Sequence, residues 1–496
     1  MKVLTVGVAA VLAMAGLTTP AHAAGSAPSP GSAGLGDRLY PLLGNGGYDV
    51  LDYDLHLRYP QKDPEQVVSG DVTITAVARQ SLSRFNLDFG GGSAGRVSVD
   101  GRPAGSSRDG DELTVTPSRP LRPGRAFRVT VTGFTAAPAR AGSGSPAGLV
   151  PTPDGTVLAG QPDSAHLVFP ANDHPRDKAT FTITLTAPAG WTGTAGGRLV
   201  STTEHDGYVT SVYRESAPMA TELVQLAVGD FVVERRAPVG GTAIRDVVPR
   251  RLAGTLLPAI TGERRQLAWM AEQVGPYPFD GYGSLVIDDD LGYALETQTL
   301  SLYGAALFTG PEATRGPSMT HELAHQWFGD SVSPYSWSDV WLNEGHATWY
   351  EMLWSEQTGG FPQYTGLADR EAFFKAVYAA GDIFRRRYGP VAAPLDATTS
   401  WDVFNPNVYA GGALVLYALQ QKLGAARFQQ VERAWVTAYR GRSASTRDFV
   451  TLASRVARQD LRPFLTAWLD GATTPPMPNH PDWTVAPPPV GVTARS

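Results

Sequence analysis

Apolar and polar residues alternate with a period of two through the first half of the chain. The runs "YDVLDYDLHLRY" (48–59), "GDVTITAVA" (70–78), "FRVTVTGF" (127–134), "TFTITLTAP" (180–188) and "ELVQLAVGDFVV" (222–233) show it, with Gly, Pro, Asp and Ser between them. Successive side chains of a strand point to opposite faces, so this pattern marks strands with one buried and one wet face. It predicts an N-terminal antiparallel β domain over residues 39–235. Near residue 250 the period changes. "RRLAGTLLPAITGERRQLAWMAEQVG" has helical spacing and stops at Gly275, with Pro276 and Pro278 just beyond. After one strand-like run, "GSLVIDDD", helices are expected over roughly 316–330, 343–357, 366–387, 409–422, 425–440 and 445–457. A mainly helical domain over 236–474 follows from this, and the Pro-rich residues 475–496 read as a tail. The aspartates at 288–290 lack the spacing of a calcium loop and read as a solvated strand end.

A chain of 496 residues is too long for one compact core, which agrees with two domains. The formal net charge of −6, without a basic stripe, argues against a nucleic-acid partner. There is no cysteine. Disulfides, thiol catalysis and thiolate metal ligands are excluded, so any metal must be held by His, Asp or Glu. The first residues, "MKVLTVGVAAVLAMAGLTTPAHAAG", pair a lysine with an apolar run and a small-residue "AHA". They read as a secretory signal peptide, residues 1–23, cleaved after Ala23. Residues 24–38 read as a flexible linker. The expectation is a secreted, extracellular protein with no membrane contact once the signal is removed.

The candidate chemistry lies in "HELAHQWFGD" (321–330). On a helix, His321 and His325 sit one turn apart on one face, where both imidazoles can reach one ion. Glu322 stands beside that face, within reach of a water on the metal. The bland alternative is a surface helix with two solvated histidines. A catalytic zinc needs a third protein ligand and an open position. Glu344, in "WLNEGHATWYE" (341–351), falls in the first turn of the next predicted helix, which can bring its carboxylate back to the histidines. Alone, it is also the acid that a helix N-terminus favours. Taken together, the residues point to one bound Zn2+. Glu351 lies two turns beyond Glu344 on the same face. It either accepts an N–H from a ligating histidine or sits exposed on the helix. His346 should face away from the metal.

These two motifs resemble the M1 family of zinc aminopeptidases, the gluzincins that include aminopeptidase N, and the resemblance runs from about Tyr48 to Asp470. It implies a β domain followed by a mainly helical, thermolysin-like zinc metallopeptidase domain, in a short two-domain form. It implies zinc on His321, His325 and Glu344, with Glu322 as general base. "YALET" (293–297) falls where the family carries G-x-M-E-N, so Glu296 matches the glutamate that binds the substrate's free α-amine. Tyr293, Leu295 and Thr297 stand where the family has Gly, Met and Asn. "NVYAGGALVLYAL" (407–419) resembles the segment with the catalytic tyrosine, matched by Tyr409. Gly411 stands where a lysine is common. "FPANDHPRDKATFTITL" (169–185) resembles the β-domain signature, and Gln161 in "AGQPDSAH" falls at a position that helps bind the amine. His174 reads as structural. The implied partners are peptides with a free N-terminus. A thermolysin-like endopeptidase with an open cleft is the alternative. The sequence does not give the oligomeric state.

Overall fold

The structure, a computed structural model, describes residues 27–138, 146–396, 399 and 402–485. The expected signal peptide lies outside them. The alternating segments form strands. In Val68–Ala78 every second residue is buried along the full length, as the period of two requires. This strand lies within an eight-stranded sheet. Its spatial order is Arg198–His205, Tyr208–Met219, Ala179–Pro188, Tyr48–Arg58, Val68–Ala78, Ala126–Ala136, Arg96–Val99 and Arg102–Pro103. One pair departs from the antiparallel expectation: Tyr48–Arg58 and Ala179–Pro188 run parallel. Parallel neighbours need a long crossover, and the intervening chain supplies it while building other strands. A smaller sheet of Ser29–Pro30, Leu82–Asp88, Glu112–Thr116 and Gly105–Asp109 shares the same apolar core, around Tyr53, Phe85, Val131 and Phe181. A further sheet, in the order Gly148–Thr152, Gly155–Ala159, Leu226–Gly229 and Thr192–Ala195, leads toward the second domain.

Two expectations about the domain ends need correction. The run 222–233 is not one strand. Leu226–Gly229 belongs to the β domain, whereas Phe231–Val239 pairs with Thr242–Pro249 in the next domain's sheet. The predicted boundary at 235/236 therefore cuts a strand, and the division falls at Asp230. Alternation continues through both strands and carries no information about which sheet each joins. Gly229 makes the junction possible, because a Cβ there would fall 2.2 Å from the Asp154 carbonyl oxygen.

The second correction concerns the lead-in, which is not free from residue 27 onward. Ser29–Pro30 pairs in parallel with Leu82–Asp88. Asp37 is buried and accepts from the backbone N–H groups of Leu39 and Trp337, each at 2.8 Å. His174 Nε2 lies 3.2 Å from Asp37 Oδ2, the oxygen that also accepts from the Trp337 N–H. A Gly/Ser/Pro composition suggests flexibility, but strand pairing uses backbone groups that composition does not report. The described part of the Pro-rich tail packs on the helical domain: Met477 and Trp483 are buried, and Trp483 stacks on Tyr417 at 5.8 Å.

The second domain opens with a sheet of Phe231–Val239, Thr242–Pro249, Ser284–Ile287 and Ser301–Gly304, with Gly281–Tyr282 alongside. Its helices are α1 (Ala253–Ala259), α2 (Glu263–Val274), α3 (Ala306–Thr309), α4 (Glu312–His325), α5 (Trp341–Gln357), α6 (Phe361–Thr365), α7 (Arg370–Tyr388), α8 (Pro406–Leu423), α9 (Ala425–Ala438), α10 (Thr446–Ala457) and α11 (Arg462–Asp470). The helix expected over 316–330 ends at His325, where the chain turns and the Asp330 N–H bonds back to the His325 carbonyl at 2.9 Å. α5 packs between α4 and α8 over an aromatic core that includes Trp341, Trp349, Phe374 and Trp435. Among the described residues, no helix is long and apolar enough to cross a membrane.

Candidate active site

α4 supplies His321, Glu322 and His325; α5 supplies Glu344 and Glu351; α8 supplies Tyr409. The start of α5 is fixed from several directions. Ser336 and Asp339 cap each other reciprocally just before it. Asp339 also accepts from the Thr446 N–H at 2.8 Å, and Asp37 of the lead-in accepts from the Trp337 N–H. α5 and α8 touch through glycines. A Cβ on Gly345 would lie 2.9 Å from the Gly412 carbonyl carbon. That close approach carries Glu344 and Tyr409 into one site.

His321 Nε2 and His325 Nε2 lie 3.3 Å and 3.5 Å from Glu344 Oε2. One atom from each of the three residues lies within 4.8 Å of the others. The far side of each imidazole is occupied. His321 Nδ1 lies 2.8 Å from Glu351 Oε2, and His325 Nδ1 lies 3.1 Å from the Phe328 carbonyl oxygen. An acceptor at Nδ1 requires the proton there, which leaves the Nε2 lone pair facing the shared point. Two imidazole nitrogens and one carboxylate, with the tautomers fixed from behind, form a donor set suited to zinc. Glu351 also accepts from the Tyr364 hydroxyl.

Burial alone would lower the pKa of both imidazoles. With no positive charge at the shared point, Glu344 and Glu351 instead hold His321 well above its usual range, and Glu296 and Glu344 lift His325 to about 9. A metal bound there would displace the Nε2 protons. Burial would raise Glu344, but the two histidines bring it down to about 2. Glu322, nearly buried, is pushed up to about 8 by desolvation, with His321 and His325 pulling the other way. The half-buried Tyr409 stacks on His321, with ring centroids 5.9 Å apart and planes 14° apart. Burial and the neighbouring Glu344 keep its phenol protonated far above the usual range. His346 faces elsewhere: its Nδ1 donates to the Leu342 carbonyl at 2.7 Å, and its ring stacks on Phe328.

Glu296 lies beside this cluster, with Oε1 4.0 Å from His325 Nδ1. Gln161 follows the strand Gly155–Ala159, and its Nε2 donates to Glu296 Oε1 at 2.7 Å. The two residues that the resemblance paired thus meet across the domain interface. Two further residues were not singled out in the sequence. Gln326 donates from Nε2 to the Glu296 carbonyl at 2.9 Å and accepts from the Thr299 N–H at 3.0 Å and the Tyr277 hydroxyl at 2.9 Å. It ties the Glu296 loop to the end of α4, and its position directly after His325 was the available signal. Glu222 lies 3.3 Å from Gln161 Nε2. It opens a run that alternates like any strand, and nothing local marks it.

The donor set and the fold define a zinc-dependent metallopeptidase. Residues 259–468 match the Peptidase family M1 domain. An M1 zinc metallopeptidase from Deinococcus radiodurans superposes with a TM-score of 0.77 at 33% identity, covering 90% of this chain and 99% of that one. A mutant of that enzyme bound to a Tyr-Ser-Ala substrate superposes with a TM-score of 0.77 over 90% and 100% of the two chains. Aminopeptidase M1-B of Oryza sativa subsp. japonica is 27% identical over 317 residues, which is 61% of this chain and 35% of the plant protein. The match thus spans about a third of that relative's length. The chain belongs to the M1 family of zinc metallopeptidases.

Proposed function

We propose that this protein is an exported aminopeptidase that removes one residue from the free N-terminus of peptides. The observation that carries this reading is the Gln161–Glu296 contact at 2.7 Å, set beside the metal-ligand cluster with Glu296 4.0 Å from His325. It puts a carboxylate, aimed by an amide from the other domain, at one end of the zinc site. His321, His325 and Glu344 would hold a zinc ion, which when bound would supply Lewis acidity. Glu322 takes the proton from the attacking water and passes it to the leaving amine. The Tyr409 hydroxyl donates to the oxygen that gains charge as the carbonyl is attacked. Glu296 pairs with the substrate ammonium, and that pairing sets the register of cleavage at one residue. An internal segment offers no cation and would leave the buried Glu296 carboxylate unpaired, which costs binding. The Tyr-Ser-Ala complex of the Deinococcus enzyme supports short peptides as the substrate class. Export rests on the signal-like first residues.

The test compares one peptide with its N-acetylated twin, using zinc-replete and chelator-stripped protein. We expect release of the N-terminal residue from the free peptide alone, abolished by the chelator and restored by zinc. Equal cleavage of both peptides would refute the amine anchor and establish an endopeptidase.

A further inference from the structure

Glu222 is buried to 1% exposure in the short turn Thr221–Leu223, between the strands Tyr208–Met219 and Leu226–Gly229. The turn is anchored on both sides. The Thr221 hydroxyl donates to Asp173 at 2.6 Å, and the Leu223 carbonyl accepts from the Gln298 N–H at 3.1 Å, two residues from Glu296. Gly160 lies directly against it: a Cβ there would meet the Glu222 carbonyl oxygen at 3.0 Å. Glu222 therefore has a fixed place relative to both Gln161 and the Glu296 loop.

The carboxamide of Gln161 has two ends of opposite character, two donors on nitrogen and an acceptor oxygen. Its terminal torsion is broad and roughly two-fold, so the chain alone scarcely prefers one orientation. Here Nε2 lies 2.7 Å from Glu296 Oε1 and 3.3 Å from Glu222 Oε2. Both donors are directed at carboxyl oxygens. The flipped amide would turn its oxygen toward two acceptors and lose both bonds. With Glu296 alone, one donor remains unassigned and the amide is held at one point. With Glu222 present, it is held at two.

We propose that Glu222 is a positioning residue that locks the Gln161 carboxamide with its oxygen turned to the substrate's ammonium, so that the amine meets two acceptors, Glu296 and Gln161. The proposal rests on the aminopeptidase reading. Without Glu222, the amide samples the flipped state, in which its N–H groups confront the ammonium. Burial and the nearby Glu296 raise the Glu222 pKa well above the usual carboxyl range. The role needs the Glu222 oxygen that faces Gln161 Nε2 to accept, and a neutral carboxyl fills it when its carbonyl oxygen, not its O–H, takes that place.

The test is steady-state hydrolysis of a free-N-terminus peptide by zinc-replete protein carrying Glu222→Leu, Glu222→Asp, Glu222→Gln, Gln161→Ala, or Glu222→Leu with Gln161→Ala. Melting temperature and zinc content are measured for each. Glu222→Leu is expected to raise KM about tenfold with kcat within about threefold, the loss of one hydrogen bond to a charged partner. Glu222→Asp withdraws the oxygen by one methylene and should do the same, which keeps the test decisive if the leucine variant fails to fold. Glu222→Gln keeps an acceptor oxygen and should bring KM back toward the wild type. In the double variant KM should be no higher than in Gln161→Ala alone, because there is no amide left to orient. Additive effects of the two substitutions would overturn the proposal and place Glu222 on the substrate or in the fold alone. So would a Glu222→Gln variant as impaired as Glu222→Leu, which would mean that charge matters. A wild type that cleaves the N-acetylated peptide equally well would overturn the aminopeptidase reading itself, and the orientation proposal with it.

Discussion

Replacing Glu351 by alanine removes the acceptor behind one metal ligand without touching the ligand itself. In the wild type, Glu351 Oε2 lies 2.8 Å from His321 Nδ1, and the two side chains are 10% and 13% exposed. Water can replace little of that contact. The other carboxylate oxygen accepts from the Tyr364 hydroxyl, so the substitution also strands a second, half-buried donor. Partners that hold a ligating imidazole typically set metal affinity by about 10–100-fold, or about 1.4–2.8 kcal/mol. The expected loss for Glu351→Ala is near the upper end, because the His321 ring loses both its tautomer lock and its orientation. Glu351→Gln keeps one acceptor oxygen at the same place and should lose about tenfold or less. Competition for zinc against a chromophoric chelator at fixed pH gives the Kd of each variant. Turnover at saturating zinc then shows whether the refilled site is otherwise intact. An unchanged Kd for Glu351→Ala would refute the reasoning. Equal losses for the two variants would mean that the negative charge matters, not the placed acceptor.

Three further outcomes are expected. Glu322→Gln should keep stoichiometric zinc by metal analysis while turnover falls to near background, since the amide cannot take a proton; retained turnover would assign the base elsewhere. Tyr409→Phe should lower kcat by about 10²–10³ with zinc content unchanged, the cost typical of one lost oxyanion donor, read from kcat at saturating peptide. Asp37 is raised by burial but lowered further by His174 and the N–H groups of Trp337 and Leu39, with a net pKa below the usual value. A carboxylate depressed in the folded state contributes stability that is present above its unfolded pKa, near 3.9, and is lost as pH falls through the folded value. Denaturant melts should therefore find Asp37→Asn less stable by about 1–3 kcal/mol at pH 7. The gap should narrow below about pH 4, and a gap independent of pH would reject the ionised Asp37 carboxylate as its source.

The candidate metal-binding triad was legible because its geometry is local. His321 and His325 share a helix face, and Glu344 begins the next helix, so periodicity and spacing alone brought them together. Glu351 needed only the same helix and a count of turns. The domain boundary was less legible, since Leu226–Gly229 and Phe231–Val239 alternate alike but join different sheets. The lead-in was misread because a two-residue strand and a buried Asp37 leave no trace in a Gly/Ser/Pro composition. Glu222 and Gln326 were invisible for another reason. Each acts through partners distant in sequence: Glu222 meets Gln161 across 61 positions, and Gln326 meets Glu296 across 30. No periodicity connects such pairs.

The anchor that joins the two domains has a consequence for how the protein comes into being. His321 and Glu344 are 23 positions apart, whereas Gln161 and Glu296 are 135 apart and lie in separate domains. Glu296 lies in the same domain as His321, His325 and Glu344, and only the Gln161 amide reaches it from the other one. On the proposed reading, variation at Gln161 in the β domain would change how the amine is held without touching His321, His325 or Glu344. A chain whose domains have not yet docked would, on the same reading, keep the Glu296 carboxylate beside His325 but lack the amide that aims it.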